Sequence, residues 1–253
     1  MFTYPFSSSL NSNEEGRAKM AIFRLEVKSH GKGKAERHSR YINRIGAKAA
    51  KDLVARGHGN LPSFANDEPS AFWVAADSFE RVNGAAAREY IVSLPKELSD
   101  EQNTSLTREI AQLLAPNLPY EFALHRPRGA ISGEDHPHAH ISTSDRALDG
   151  IERPPEQYFS RAHPTRPEAG GARKISGGKP PGQLSAELQR KKMMVAGLIN
   201  AALTRNGLHE QVDHRSNEER GIKKVPERRL HPAAVRQLGV EELALIRQRR
   251  RQM

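Results

Sequence analysis

The sequence predicts an α+β fold: a central, mainly antiparallel sheet with helices packed on it, then a long basic loop and a helical C-terminal part. Alternating apolar residues at 20–28, 88–95, 120–125 and 138–144 are typical of half-buried strands. Helical apolar spacing occurs between and after them. The order strand, crossover helix, strand and returning strand favours a sheet whose helices pack on one face.

The first elements follow from local patterns. The segment "MAIFRLEVK" from Met20 predicts the first strand. Residues 34–55 predict one amphipathic helix ending near Gly57, with an apolar face formed by Ile42, Ile45, Ala49 and Leu53. A second helix is expected to stop at the Asn83–Gly84 turn, and its apolar stripe is Phe72, Ala75, Ala76, Phe79 and Val82.

The later elements have clearer boundaries. Ser99 and Gln102 are spaced as a capping box that starts a third helix, whose apolar face is Leu106, Ile110, Leu113 and Leu114. Another helix is predicted over 186–206 and ends at Gly207. Between them, residues 153–183 are rich in Pro, Gly and basic residues, which predicts a long loop, mobile or functional, suited to a flap on a nucleic-acid backbone.

Length and composition limit the classes of protein. A chain of 253 residues fits one main domain, which we place at 20–235, after a disordered extension (1–19) and before a basic tail (236–253). Lys and Arg outnumber Asp and Glu by 40 to 30, so the surface should attract polyanions, nucleic acid ahead of anionic membrane. The absence of cysteine leaves His, Asp and Glu as metal ligands and suits a reducing cytoplasm. With no leader or spanning segment apparent, we expect a soluble, cytoplasmic protein without membrane insertion.

Three histidines at alternate positions stand out in "GEDHPHAHISTS". In a strand, His138 and His140 share one face, and a hairpin would bring His125 beside them from the preceding strand. Three neutral ligands with open positions are typical of a catalytic metal site. Pro137 is expected to tilt His136 away, so His136 is interpreted as a neighbour. A chance cluster or an exposed metal-affine tract explains the same pattern about as well.

Tyr41 is the tyrosine that differs from the rest, because Arg37, Arg44 and Lys48 fall on its stripe of the predicted helix. Such a stripe would draw a phosphodiester to the phenol and favour the tyrosinate. An ordinary polar helix face is an equally good interpretation. The tyrosine and the histidine metal site would act on the same substrate. A tyrosine can attack a DNA phosphate reversibly, while a divalent ion on the histidines polarises that phosphate.

With these residues in view, the sequence resembles the MobA/MobL conjugative relaxases, members of the HUH endonucleases. The resemblance rests on "MAIFRLEVKSHGKGKAERHSRYINR", "WVAADSFERVNGAAAREYIVSLPKEL", "YEFALH", "DHPHAHISTSDRALDGIERPPEQYF" and "VDHRSNEERGI", and covers most of residues 20–235. It implies an HUH palm-like sheet, with Tyr41 as the nucleophile and His125, His138 and His140 as ligands of a divalent ion such as Mg²⁺ or Mn²⁺. Family members carry carboxylates on the strand ending at Leu94. Here only Glu89 stands there, as a candidate base or ligand support.

The resemblance implies a bacterial enzyme that nicks one DNA strand at a transfer origin, forms a 5′-phosphotyrosyl adduct and rejoins the strand after conjugative transfer. Its partners would be single-stranded origin DNA, accessory mobilisation proteins and the coupling protein of a type IV secretion system. Phosphates would be held by basic side chains, namely Arg37, Arg44, Lys48, Arg173 and Lys174. Three alternatives are a rolling-circle replication initiator, a non-cleaving DNA-binding accessory protein and a metal-dependent hydrolase that uses water.

Overall fold

The computed structural model describes residues 23–46, 51–129, 131, 133–223 and 232–252. The strands are β1 (Leu25–Gly31), β2 (Leu53–Gly59), β3 (Ala85–Ser93), β4 (Tyr120–His125) and β5 (His138–Thr143). The helices are α1 (Ala35–Ile42), α2 (Pro69–Phe79), α3 (Asp100–Leu114), α4 (Pro155–Tyr158), α5 (Pro181–Arg205), α6 (Pro232–Gln237) and α7 (Val240–Gln252).

The five strands form one sheet in the order β1-β3-β5-β4-β2, and every neighbouring pair is antiparallel. The predicted α+β class with a central antiparallel sheet is therefore confirmed. β5 lies in the middle of the sheet, flanked by β3 and β4. Side chains on these inner strands are shielded by neighbours on both sides, which suits a site that must be held rigidly.

Helices cover both faces of the sheet, so the expectation that they pack on one face is wrong. On one face, apolar residues of the inner strands, such as Val92 and Ile141, pack against Ile110 of α3 and Ile199 of α5. On the other face, α2 packs through Phe72 and Trp73. α1 lies on this second face as well. The alternation of the strands separates an apolar set from a set containing polar groups, and α1 and α2 bury part of the latter.

The third predicted helix has the capping box that its sequence indicates. The Ser99 hydroxyl accepts from the Gln102 amide (3.2 Å), and the Gln102 side chain accepts from the Ser99 amide (2.8 Å). This N-cap stabilises α3 by about 1 kcal/mol. α2 ends at Phe79, so Val82 of the predicted stripe lies beyond the helix and is 83% exposed.

The single helix predicted over 34–55 is wrong: α1 ends at Ile42 and β2 begins at Leu53. The chain leaves the helix through Arg44, whose φ is +54°, and Gly46, whose φ is +78°. Gly57 is not a helix terminus but a residue of β2, where a Cβ would stand 2.7 Å from the ring of Phe122. A glycine is needed there because the aromatic ring of β4 occupies the space.

The segment 153–183 was predicted to be a long loop, either mobile or functional, and the structure shows it anchored to the domain. Arg146, buried beneath it, donates to the carbonyls of Tyr158 (3.1 Å), Ser160 (2.8 Å) and Ala172 (2.8 Å). Its guanidinium is paired with the buried carboxylate of Glu80 at 2.9 Å. The segment also contains α4 and the first residues of α5, which starts at Pro181 rather than at 186. Arg146 therefore satisfies carbonyls that an irregular chain would otherwise leave unpaired.

The helical C-terminal part is present, since the helix predicted over 186–206 is α5. Two further helices follow that were not predicted, α6 and α7, and most of the basic tail placed at 236–253 lies in α7. The extension at 1–19 lies outside the described residues, and the proposed domain limits 20–235 stay a prediction. Within the described part of the chain, no helix is both long and apolar enough to cross a bilayer.

Replacing Arg146 with alanine should lower the free energy of unfolding by about 3–5 kcal/mol, because the buried Glu80 carboxylate would keep only Lys174 as a cationic partner and the carbonyls that Arg146 binds would lose their donor. Denaturant titration monitored by circular dichroism measures this loss. Arg205→Ala serves as the matched control, since Arg205 pairs with Glu109 at the surface and should contribute less than about 1 kcal/mol. Equal losses in the two variants would show that the buried pair does not anchor the segment.

Candidate active site

The three predicted histidine ligands meet on the second face of the sheet. In the β4–β5 register His125 stands directly opposite His138, and His140 lies opposite Ala123 two residues further on. Their ring centroids are 5.0 to 5.5 Å apart, and one ring nitrogen from each lies within 4.8 Å of the others. The hairpin geometry predicted for these residues is thus present, and His136 is outside the cluster.

Hydrogen bonds orient each imidazole. They join His125 Nε2 to the Ile42 carbonyl (2.7 Å), His138 Nδ1 to the His136 carbonyl (2.9 Å) and His140 Nδ1 to Glu89 Oε1 (2.6 Å). A carbonyl or ionised carboxylate only accepts, so each of these ring nitrogens must donate. The lone pairs then lie on His125 Nδ1, His138 Nε2 and His140 Nε2. The outer partners are of the kind found around metal ligands.

The electrostatics keep two of these imidazoles neutral. Burial, aided by the nearby Arg44 charge and opposed by the bond to Ile42, lowers the pKa of His125 to about 4. Burial also lowers the pKa of His138, against the bond to the His136 carbonyl. Neutral imidazoles are the form that binds a metal, and three nitrogen donors with open positions fit a divalent transition-metal ion.

Glu89 lies on the histidine face of β3, opposite to the face of Tyr90, and is 1% exposed. Burial raises its pKa, but contacts with His140, His30 and His38 outweigh burial and hold the pKa far below its usual value. The residue is therefore a carboxylate at neutral pH. Glu89 accepts a hydrogen bond from His140 Nδ1, and this position matches the ligand-supporting role, one of the two roles expected from the sequence. The role of base stays a prediction.

Tyr41 lies in the last turn of α1 and is 64% exposed. It lines a groove of about 640 Å³ together with Arg44, His138 and His140. The Arg44 guanidinium carbon is 5.2 Å from the centroid of the tyrosine ring. The phenol is thus open to a ligand, and the Arg44 guanidinium lies over its ring.

Arg44 is near Tyr41, but not along a helix stripe as predicted, because α1 has ended before it. Asp52 holds its guanidinium through two hydrogen bonds of 3.1 and 2.6 Å. The same guanidinium lies 3.2 Å from His125 Nδ1. Arg37 is exposed on α1, and Lys48 is outside the described residues.

The structure does not bring the two basic loop residues to the histidines. Lys174 Nζ lies 3.1 Å from Glu80 Oε2 and donates to the Ala85 carbonyl (3.0 Å), at the end of β3 opposite to Ser93, the partner of His138. Arg173 is exposed. A DNA contact by Arg173 stays a prediction, whereas the Lys174 ammonium is already engaged in a structural ion pair.

Sequence reasoning missed His30 and His38, whose Nε2 atoms lie 3.3 and 3.0 Å from the two oxygens of Glu89. His38 was detectable, because it stands three residues before Tyr41 and so on the same side of a helix. His30 required the β1–β3 pairing, which the sequence does not specify.

Fold and site together define an α+β domain of the HUH type, with a histidine triad on adjacent inner strands and a tyrosine on the helix beside it. The model of the MobA/MobL family matches residues 29–238. This chain therefore belongs to the MobA/MobL family, as its motifs indicated.

Curated relatives agree with this assignment. A 43 kDa relaxation protein of Salmonella typhimurium is 42% identical over 208 residues, covering 80% of this chain and 56% of that protein. Mobilization protein A of Escherichia coli is 38% identical over 228 residues, covering 87% and 31%. The chain thus spans about half or less of their length. A solved structure from work on the molecular basis of vancomycin resistance transfer in Staphylococcus aureus has a TM-score of 0.56, 20% identity, and coverage of 78% of this chain and 100% of that one, which shows the fold.

In the presence of a chelator, the free energy of unfolding should fall as the pH is lowered from 6.5 to about 4. In this pH window His125 is protonated in the unfolded chain but not in the folded protein. Each pH unit of acidification therefore lowers the free energy of unfolding by up to about 1.4 kcal/mol. Urea titrations across this range measure the slope. The slope should flatten in His125→Gln and persist in His58→Gln, a change at a partly exposed histidine. An unchanged slope in His125→Gln would contradict the buried, neutral state of this ring.

Proposed function

We propose that this protein is a DNA relaxase that nicks and rejoins one strand at the transfer origin of a plasmid or other mobile element. The observation that carries the proposal is that Tyr41, Arg44 and two of the three histidines line one groove, while the third lies against Arg44. Membership of the MobA/MobL family supports it, as does similarity to proteins named for relaxation and mobilisation.

In the proposed reaction the Tyr41 oxygen forms a bond to the scissile phosphorus, and the bond from phosphorus to the 3′ oxygen breaks. The phenol releases its proton to solvent in the groove, and the departing 3′ oxygen takes one up. The products are a 5′-phosphotyrosyl adduct and a free 3′ hydroxyl. Because the adduct conserves the energy of the broken backbone bond, attack by a 3′ hydroxyl restores the strand and frees Tyr41.

His125, His138 and His140 are the residues that would hold a divalent ion. His138 Nε2 and His140 Nε2 would each offer a lone pair, and at His125 Nδ1 the ion would take the place of the Arg44 guanidinium. Such an ion would polarise a phosphate oxygen and offset charge in the transition state. Glu89 supports His140 in the orientation needed for this. The family resemblance favours Mg²⁺ or Mn²⁺, whereas three imidazole donors by themselves suit a transition-metal ion better than Mg²⁺, which prefers oxygen ligands.

Arg44 would draw a phosphate toward Tyr41, since its guanidinium lies over the Tyr41 ring. The excess of basic residues, with the exposed Arg37 and Arg173 among them, would hold single-stranded DNA mainly through its phosphates. Binding of this kind weakens steeply with salt. Accessory mobilisation proteins and a coupling protein of a type IV secretion system are the further partners that we propose, with the bacterial cytoplasm as the place of action.

Tyr41→Phe should abolish formation of the covalent adduct, because phenylalanine has no oxygen to attack the phosphate. Labelled single-stranded oligonucleotides that tile the DNA around the gene are incubated with protein and divalent metal, then run on denaturing gels. A label that migrates with wild-type protein, and not with the variant, is the expected result. Tyr90→Phe is the matched control, since that hydroxyl lies on the opposite sheet face against Lys191. Cleavage without an adduct in both proteins would identify a hydrolase that uses water.

His138→Ala should reduce cleavage by more than about 100-fold while the protein stays folded, because one of three metal donors is lost. The rate of oligonucleotide nicking is compared with that of His58→Ala, which removes an imidazole that faces Asp67 instead of the triad. Circular dichroism confirms folding of both variants. Full nicking activity in His138→Ala would rule out the triad as the metal site.

A further inference from the structure

A second cluster of metal-ligand residues lies beside the triad, and its members come from β1, α1 and β3. One donor atom from each of His30, His38 and Glu89 lies within 4.8 Å of the others. We propose that these three residues form a second site for a divalent transition-metal ion, separate from the histidine triad. The proposal does not depend on DNA cleavage and goes beyond the proposed function.

The backbone places these residues together without help from an ion. In the β1–β3 register Lys28 faces Glu89 and His30 faces Ala87, so His30 and Glu89 are diagonal neighbours on one sheet face. α1 begins four residues after β1. Its first turn is fixed by Asp77, which accepts from the amides of three residues, Gly33, Ala35 and Glu36. His38 is thereby carried over Glu89 from the helix side.

The distances fit donors that share one ion. His30 Nε2 is 3.3 Å from one Glu89 oxygen, and His38 Nε2 is 3.0 Å from the other. Ligand atoms of one ion, each bound at about 2.0–2.2 Å, lie roughly 3 Å from one another. Each imidazole is that far from a different oxygen, so Glu89 would bind the ion through both oxygens. The two imidazoles are stacked with centroids 4.0 Å apart and planes inclined by 21°, and both direct Nε2 toward the same carboxylate.

Burial and ligand chemistry define the class of ion. The side chains of His30, His38 and Glu89 are 18%, 14% and 2% exposed, so few waters compete for their donor atoms. Two imidazoles and one carboxylate suit Zn²⁺, Fe²⁺ or Co²⁺ rather than Ca²⁺ or Mg²⁺, which prefer oxygen ligands. The competing explanation is that both imidazoles simply donate a proton each to Glu89. It requires no ion and is the alternative that the experiment must separate.

An ion here would have a structural consequence for the tyrosine. It would link β1, β3 and α1, and Tyr41 stands one helical turn beyond His38. Glu89 also accepts from His140 Nδ1, so the same carboxylate connects the second site to a residue of the triad. The second ion would therefore fix the helix that carries Tyr41 relative to the three histidines.

The test is a count of bound zinc. The full chain without an affinity tag is dialysed against Zn²⁺, passed through a desalting column and analysed by elemental mass spectrometry. We expect about two ions per wild-type chain and about one in His30→Gln, His38→Gln or His138→Ala. His30→Gln keeps a hydrogen-bond donor for Glu89 but loses the imidazole, so it separates metal binding from hydrogen bonding. His58→Gln is the control for a surface histidine and should keep two ions.

The outcomes distinguish the two sites. One ion in the wild type that disappears in His138→Ala would overturn the second site and leave the triad intact. One ion that persists in His138→Ala and disappears in His30→Gln would support the second site and overturn the triad. Two ions retained in His30→Gln and in His38→Gln would overturn the second site. Thermal unfolding gives a second readout: Zn²⁺ should raise the Tm of His138→Ala but not that of His138→Ala combined with His30→Gln. Equal shifts in the two proteins would overturn the second site.

Discussion

The buried carboxylate of Glu89 is the group on which the arrangement of the site depends. A charge at this depth is costly unless it is compensated, and here imidazoles from three other elements, β1, α1 and β5, surround it. The same contacts that compensate the charge fix the orientation of His140 and bring α1 against the sheet. A single side chain thus couples the histidine face to the helix that carries Tyr41.

The position of α1 is determined at more than one point. Asp77 accepts from amides of its first turn, and Glu121, buried on β4, accepts from Ser39 Oγ and Asn43 Nδ2, each at 3.0 Å. Burial raises the pKa of Glu121 to about 7, against these bonds. The Ile42 carbonyl, at the end of α1, accepts a hydrogen bond from His125 Nε2. An eight-residue helix has little stability of its own, so these contacts with the sheet determine where Tyr41 lies.

The sequence allowed the strands β1, β3, β4 and β5, the capped helix α3, and the meeting of His125 with His138 and His140 to be predicted, because alternation and capping are local signals. β2 was missed. Gly57 and Gly59 of β2 leave room for the rings of Phe122 and Tyr120 on β4. This is a contact between residues distant in the sequence, which a local pattern cannot reveal. The anchored segment around 153–183 was misjudged for a similar cause, since Pro and Gly content says nothing of the buried Arg146 that satisfies its carbonyls. His30 and His38 depended on strand pairing and helix docking together.

Arg44 lies in the turn after α1 and not in a helix, and this changes its contacts in the site. As a residue of a continuous helix it would have been one of several cations along a stripe. In the turn after α1, with a positive φ, it lies between the Tyr41 ring, Asp52 and His125 Nδ1. That nitrogen carries the lone pair that a metal on the triad would use. A guanidinium and a metal ion would compete for one lone pair, so an ion on the triad would displace Arg44 from His125, while the contacts of Arg44 with Asp52 and the Tyr41 ring do not depend on that lone pair.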